Sequence, residues 1–103
     1  MFERIIERQD EAEPETLAGA YTGLGDVEYY AAGDDKAKLE TARMHYLRVA
    51  VVYAEEVQYV PKCLFQALLT SNKLEDADKK RDMKRELMRL YPNSPYAQKA
   101  KSY

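Results

Sequence analysis

Few residues in this chain have the type and spacing that covalent or metal chemistry requires. Cys63 and His45 are its only cysteine and histidine. A nucleophile needs a base converging on it, and a zinc centre needs several thiolate, imidazole or carboxylate ligands. One residue of each kind excludes an internal disulfide, a cysteine cluster and a multi-histidine site. No metal and no cofactor are expected. Cys63 stands four residues before Ala67 on an apolar stripe, which reads as small core filling rather than a reactive thiol. His45 has no second ligand at helical spacing and reads as a surface or packing histidine. Glu55-Glu56 falls at a helix end, where water keeps both ordinary acids. Gly19, Gly23, Gly25 and Gly33 lack the Lys-Ser/Thr sequel of a phosphate-binding loop. The sequence predicts no enzyme.

Charge gives a second kind of chemistry. Lys79, Lys80, Arg81, Lys84 and Arg85 are suited to a phosphate or an acidic partner, or to a solvated helix face. Nucleic acid is not expected, because a binding stripe works within positive overall potential and this chain has a net charge of −2. That charge is unevenly spread: residues 1–40 hold eleven acids against four bases, and residues 41–103 hold 7 acids against 12 bases. Such a dipole orients an approaching partner or stacks copies head to tail.

The elements that must carry these residues are helical. With 103 residues, one domain is expected. Many charges, 9 Tyr, no Trp and only 4 Gly and 4 Pro favour long amphipathic helices over sheet. No apolar run approaches the ~18 residues of a membrane span. Met1-Phe2-Glu3-Arg4 leads into charges rather than an export signal.

Punctuation divides the chain. Phe2, Ile5, Ile6 and Gln9 share one side of a first helix ending near Ala12. Pro14 suits the first turn of a second helix, which runs to Ala32 with Leu17, Ala20, Tyr21, Leu24, Val27 and Ala31 as its stripe. Its three glycines suggest another helix lying close by. Gly33 then ends it, and Asp34 or Asp35 caps the next. The third helix, about Asp35 to Ala54, has Leu39, Ala42, Tyr46, Val49, Ala50 and Tyr53 on its main face. Met44, Leu47, Val51 and Val52 fill a second side, so this helix is expected to be central. Pro61 opens a fourth helix ending near Asn72. Glu75-Asp76 favours the start of a fifth, which buries Met83, Leu87 and Leu90. Ser94 caps a short last helix. The class is all-α, with about five or six helices whose short connections pack neighbours antiparallel.

Within that frame, Tyr21-Thr22-Gly23-Leu24-Gly25 resembles the start of a tetratricopeptide repeat, with Tyr in place of Trp. Phe65-Gln66-Ala67-Leu68-Leu69 fits the same template loosely, and Ala42-Arg43-Met44-His45-Tyr46 matches the signature of a repeat's second helix. The segment Leu87 to Ala97 is similar to repeat ends in bacterial cell-envelope tetratricopeptide proteins, including outer-membrane-assembly lipoproteins and cell-division coordinators. Glu28, Ala54, Lys80 and Lys84 depart from the pattern. The interval of 44 residues between Leu24 and Leu68 is longer than the family's period and also suits HEAT-like helical pairs.

The resemblance implies a helix-hairpin superhelix: a half-repeat or cap over 1–12, hairpins over 14–56 and 57–92, and a C-terminal cap over 94–103. It also implies a concave groove that binds a peptide or protein segment. Groove positions would be Thr22, Asp26, Tyr29 and Tyr30 on one helix, and Gln66, Thr70, Lys73 and Leu74 on another. Tyr29 and Tyr30 suit peptide recognition; they also suit packing between hairpins. Thr22 and Asp26 replace the Lys and Asn of a chaperone-type carboxylate clamp, so that activity is not expected. The alternative is a scaffold or self-assembling segment of a longer array, in which a homo-oligomer has a place. By resemblance the compartment is a bacterial periplasm or envelope; if the chain is complete, the missing signal favours cytoplasm.

Overall fold

The computed structural model describes residues 13–103, so the helix expected over 1–12 lies outside the described residues. Five helices follow one another: α1 (Pro14–Ala32), α2 (Lys36–Val52), α3 (Val60–Lys73), α4 (Ala77–Leu90) and α5 (Pro95–Ala100). No strand occurs among the described residues. The fold is all-α, built of antiparallel helix hairpins.

Local chemistry sets the helix ends. Pro14 and Pro95 occupy first turns, where a missing N–H costs nothing. The Asp35 carboxylate accepts the backbone N–H of Ala37 at 3.0 Å and of Lys38 at 3.3 Å, capping α2. Asp76 does the same for α4 through the Lys79 N–H at 3.1 Å. That bond, with the Arg43 guanidinium 3.0 Å away, holds the Asp76 carboxyl below its ordinary value. Each hairpin turn holds one residue at positive φ: Gly33 at φ 55°, two residues before the capping Asp35, and Glu75 at φ 57°, directly before the capping Asp76.

Packing runs in chain order. α1 packs on α2, α2 on α3, α3 on α4, and the short α5 closes against α3 and α4. One cluster joins α1 to α3 through Ala18, Tyr21, Tyr29, Leu39, Ala42, Tyr46, Val49, Cys63 and Ala67. A second joins α3 to α5 through Val60, Leu64, Phe65, Leu68, Leu87, Ala97 and Ala100. The close approach suggested by the glycines is real at Gly25: a Cβ there would lie 2.7 Å from the Tyr46 ring, so this turn admits only hydrogen.

Three expectations about burial need correction. Helix α2 is contacted from two sides, by α1 and by α3, yet of the residues expected to fill its second side Val51 is 75% and Val52 62% exposed and Met44 is exposed too, with only Leu47 half-buried against the first cluster. On α1, Val27 and Ala31 face water, because the inward face of its later half is Thr22, Gly25, Tyr29 and Ala32. On α4, Leu87 is fully buried, but Leu90 stands at the last position of the helix and is half exposed.

Candidate functional site

The residues expected to line a groove divide into two groups. Thr22, Gln66 and Thr70 are buried. The Thr22 hydroxyl donates to the Ala18 carbonyl at 2.7 Å and lies 3.2 Å from Cys63 Sγ, which fastens α1 to α3. The Thr70 hydroxyl donates to the Gln66 carbonyl at 2.6 Å within α3. These three fill helix-to-helix contacts and offer no surface to a ligand. Their polarity misleads: a hydroxyl bonded back to its own helix is as easily buried as a methyl. Leu74 is half-buried against the first core cluster.

Asp26, Tyr29, Tyr30 and Lys73 form the other group. Asp26 reaches across two neighbours, accepting the Tyr46 hydroxyl of α2 at 2.5 Å and Lys62 Nζ of α3 at 2.7 Å. Tyr29 is buried and Tyr30, next along the chain, is 74% exposed; their rings meet edge to face with centroids 5.1 Å apart. Lys73 places its ammonium 4.6 Å from the Tyr29 centroid, a cation–π contact that ties the end of α3 to that of α1. Burial raises the Tyr29 hydroxyl above its ordinary pKa, and the nearby hydroxyls of Tyr30 and Tyr103 add to this.

Sequence reasoning missed the aromatic continuation of this surface. Phe65 meets Tyr96 at 5.8 Å and Tyr103 at 6.0 Å between ring centroids, and Lys99 lies 5.4 Å from the Tyr96 ring. Tyr96, one residue inside α5, was the available signal. Lys62 was missed as well, since nothing local marks it as the partner of a carboxylate 36 positions earlier.

The two lone residues lie apart from that surface. Cys63 is fully buried, and burial pushes its thiol up to about 11, so it stays protonated and inert at neutral pH. His45 stacks on Tyr21 at 5.9 Å, with Nε2 3.6 Å from a Glu28 carboxylate oxygen. No group of three or more metal-ligating side chains occurs among the described residues. No described helix is long and apolar enough to cross a membrane. Comparison of the chain with protein-family models, curated proteins and solved structures finds no match.

The node at Asp26 has a measurable pH signature. Tyr46 is held neutral above its ordinary range, by burial first and then by Asp26. Burial pulls Lys62 down, but the hydrogen bond and charge of Asp26 raise it overall. Both groups therefore bind their protons more tightly folded than unfolded. Their contribution is complete below about pH 10 and is lost as pH rises beyond it. Thermal melts from pH 8 upward are expected to show a falling melting temperature above about pH 10. The decline should be shallower in Tyr46→Phe, which has no hydroxyl to ionise.

Proposed function

We propose that this chain is a non-catalytic protein-interaction module of tetratricopeptide-like type, which holds a peptide or protein segment against the face around Tyr30 and Lys73. One observation carries the reading: a large aromatic side chain, 74% exposed, is held in place by a buried tyrosine whose ring also meets a lysine. Most exposed side chains lose rotamer freedom on binding; Tyr30, already braced by Tyr29, loses less. Lys73 adds a charged donor at its side. The hairpin stack supports the repeat assignment. The closing segment Leu87 to Ala97 supports a place in a bacterial cell envelope.

Because Tyr29 is buried, replacing it would report on folding as well as on binding. The informative variant is Tyr30→Ala combined with Lys73→Ala. Loss of an aromatic anchor of this kind costs a partner about 2 kcal/mol, roughly thirtyfold in Kd. A photo-crosslinking residue at position 30 identifies the segment that sits there, and titration against the double variant then measures the loss. The melting temperature should shift little, since neither side chain is in the core. Unchanged affinity for that segment would remove the reading.

A further inference from the structure

The face around Tyr30 continues past Tyr29 onto a cationic wall. Val27, one turn before Tyr30, is exposed beside it. The hydroxyl of Tyr103 lies close enough to that of Tyr29 to raise its pKa, and the Tyr103 ring meets Phe65 of α3 with centroids 6.0 Å apart. Tyr103 also borders an open hollow of about 270 Å³ whose other walls are Ala77, Lys80, Arg81 and Lys84 of α4. These α4 residues recur at three- and four-residue steps, which puts them on one side of the helix. No carboxylate lines the hollow. Lys73 stands over Tyr29 at 4.6 Å, and neither it nor Lys84 has an ion pair among the described residues. Nearby acids are engaged within the fold: Asp26 by Tyr46 and Lys62, and Asp78 by Arg81 at 3.3 Å. Glu75 and Asp76 border an adjoining hollow with Ser71 and Asn72.

We propose that the segment held at this face is acidic. Its carboxylates seat on Lys73, Arg81 and Lys84, while its apolar and aromatic side chains pack on Val27, Tyr30 and Tyr103. Opposite charges guide the approach and fix the register, and the exposed apolar area supplies burial once they have met. This partner class rests on the peptide-binding reading of the same face and names the chemistry that reading leaves open. It needs no clamp of the chaperone kind, since the cations come from α4 and the end of α3 rather than from the positions of Thr22 and Asp26. Nucleic acid is the poorer fit to the same surface. A single strand needs a succession of open ring faces for its bases. Here Tyr29 is buried, and lysines stand over the rings of Tyr29 and Tyr96.

Fluorescence anisotropy with two synthetic peptides tests it: one made of Glu, Ser and Tyr, and a twin in which every Glu is Gln. The Glu peptide should bind about tenfold tighter at low salt, as several exposed ion pairs together give. In about 1 M salt, where the Debye length falls to about 3 Å, the two affinities should converge. Arg81→Gln with Lys84→Gln should bring them together at low salt too, and Tyr30→Ala should weaken both alike. Circular dichroism establishes that the variants remain folded; if the double variant does not, the twins and the salt series on the unaltered chain decide alone. Twins of equal affinity that both weaken in Tyr30→Ala overturn the acidic partner and leave the peptide face standing. Twins that bind but ignore Tyr30→Ala overturn both. A pair that does not bind overturns the acidic partner, and crosslinking at position 30 then decides on the face itself. A preference for Glu that survives the double variant also overturns it, as does a single-stranded oligonucleotide of equal charge that binds more tightly than the Glu peptide.

Discussion

Tyr46→Ala is expected to lower the unfolding free energy by about 3–5 kcal/mol, in the range of other buried aromatic truncations. Tyr46 is the largest fully buried side chain and touches three helices at once. Its ring lies against Gly25 of α1, its backbone belongs to α2, and its hydroxyl donates to Asp26, which also holds Lys62 of α3. Alanine leaves a cavity where α1 comes closest. It also takes one of two donors from Asp26, so the cost includes a weakened polar node. Urea titration followed by circular dichroism measures the shift in midpoint. Tyr46→Phe separates the terms: it keeps the ring and loses only the hydroxyl, and should cost about 1–3 kcal/mol. Equal midpoints for the two variants would mean that the ring contributes nothing, contrary to its burial.

Leu87→Ala is expected to cost about 2–5 kcal/mol and to act locally. Leu87 is the one buried residue of α4, a helix otherwise made mostly of charged side chains. Without it, α4 keeps only half-buried Met83 and Met88 against the second cluster. The first cluster shares no residue with α4 apart from Met83 at its margin. Stability in stacked hairpins is close to a sum of unit and neighbour terms, so damage at α4 should stay near α4. Hydrogen exchange should therefore accelerate over residues 77–103 while the amides of α1 and α2 keep their protection. Uniform acceleration across all five helices would show instead that the stack unfolds as one unit.

Helix limits were legible in the sequence because the residues that set them act on their own backbone. Pro14, Gly33, Asp35 and Ser94 do in the structure what their types predict. Tyr46 and Val49 were legible as core for a similar reason, since their spacing follows the helical period. What periodicity leaves open is which of two apolar sides finds a neighbour. Val51 and Val52 look as buriable as Val49, yet α3 starts at Val60 and crosses the other side of α2.

The candidate site was legible in part. Of the groove positions that the resemblance implies, Tyr30 and Lys73 are exposed, whereas Thr22, Gln66 and Thr70 are inside. Family offsets locate positions along a helix, but they do not say how near the next helix comes. At Gly25 and Thr22 it comes too near for anything else to enter. The Asp26–Lys62 pair was beyond reach, because it depends on three helices having already met.

Contacts that run in chain order also bear on how the molecule is made. Helices α2, α3 and α4 each dock on the one synthesised just before, and the short α5 closes last on α3 and α4. During translation, α1 and α2 can pair before α4 has left the ribosome, and no segment must wait for a distant strand. Short sequence separations of this kind place folding toward the fast end of the range for small domains. They also keep the exposure of unpaired apolar faces brief, which is when chains aggregate.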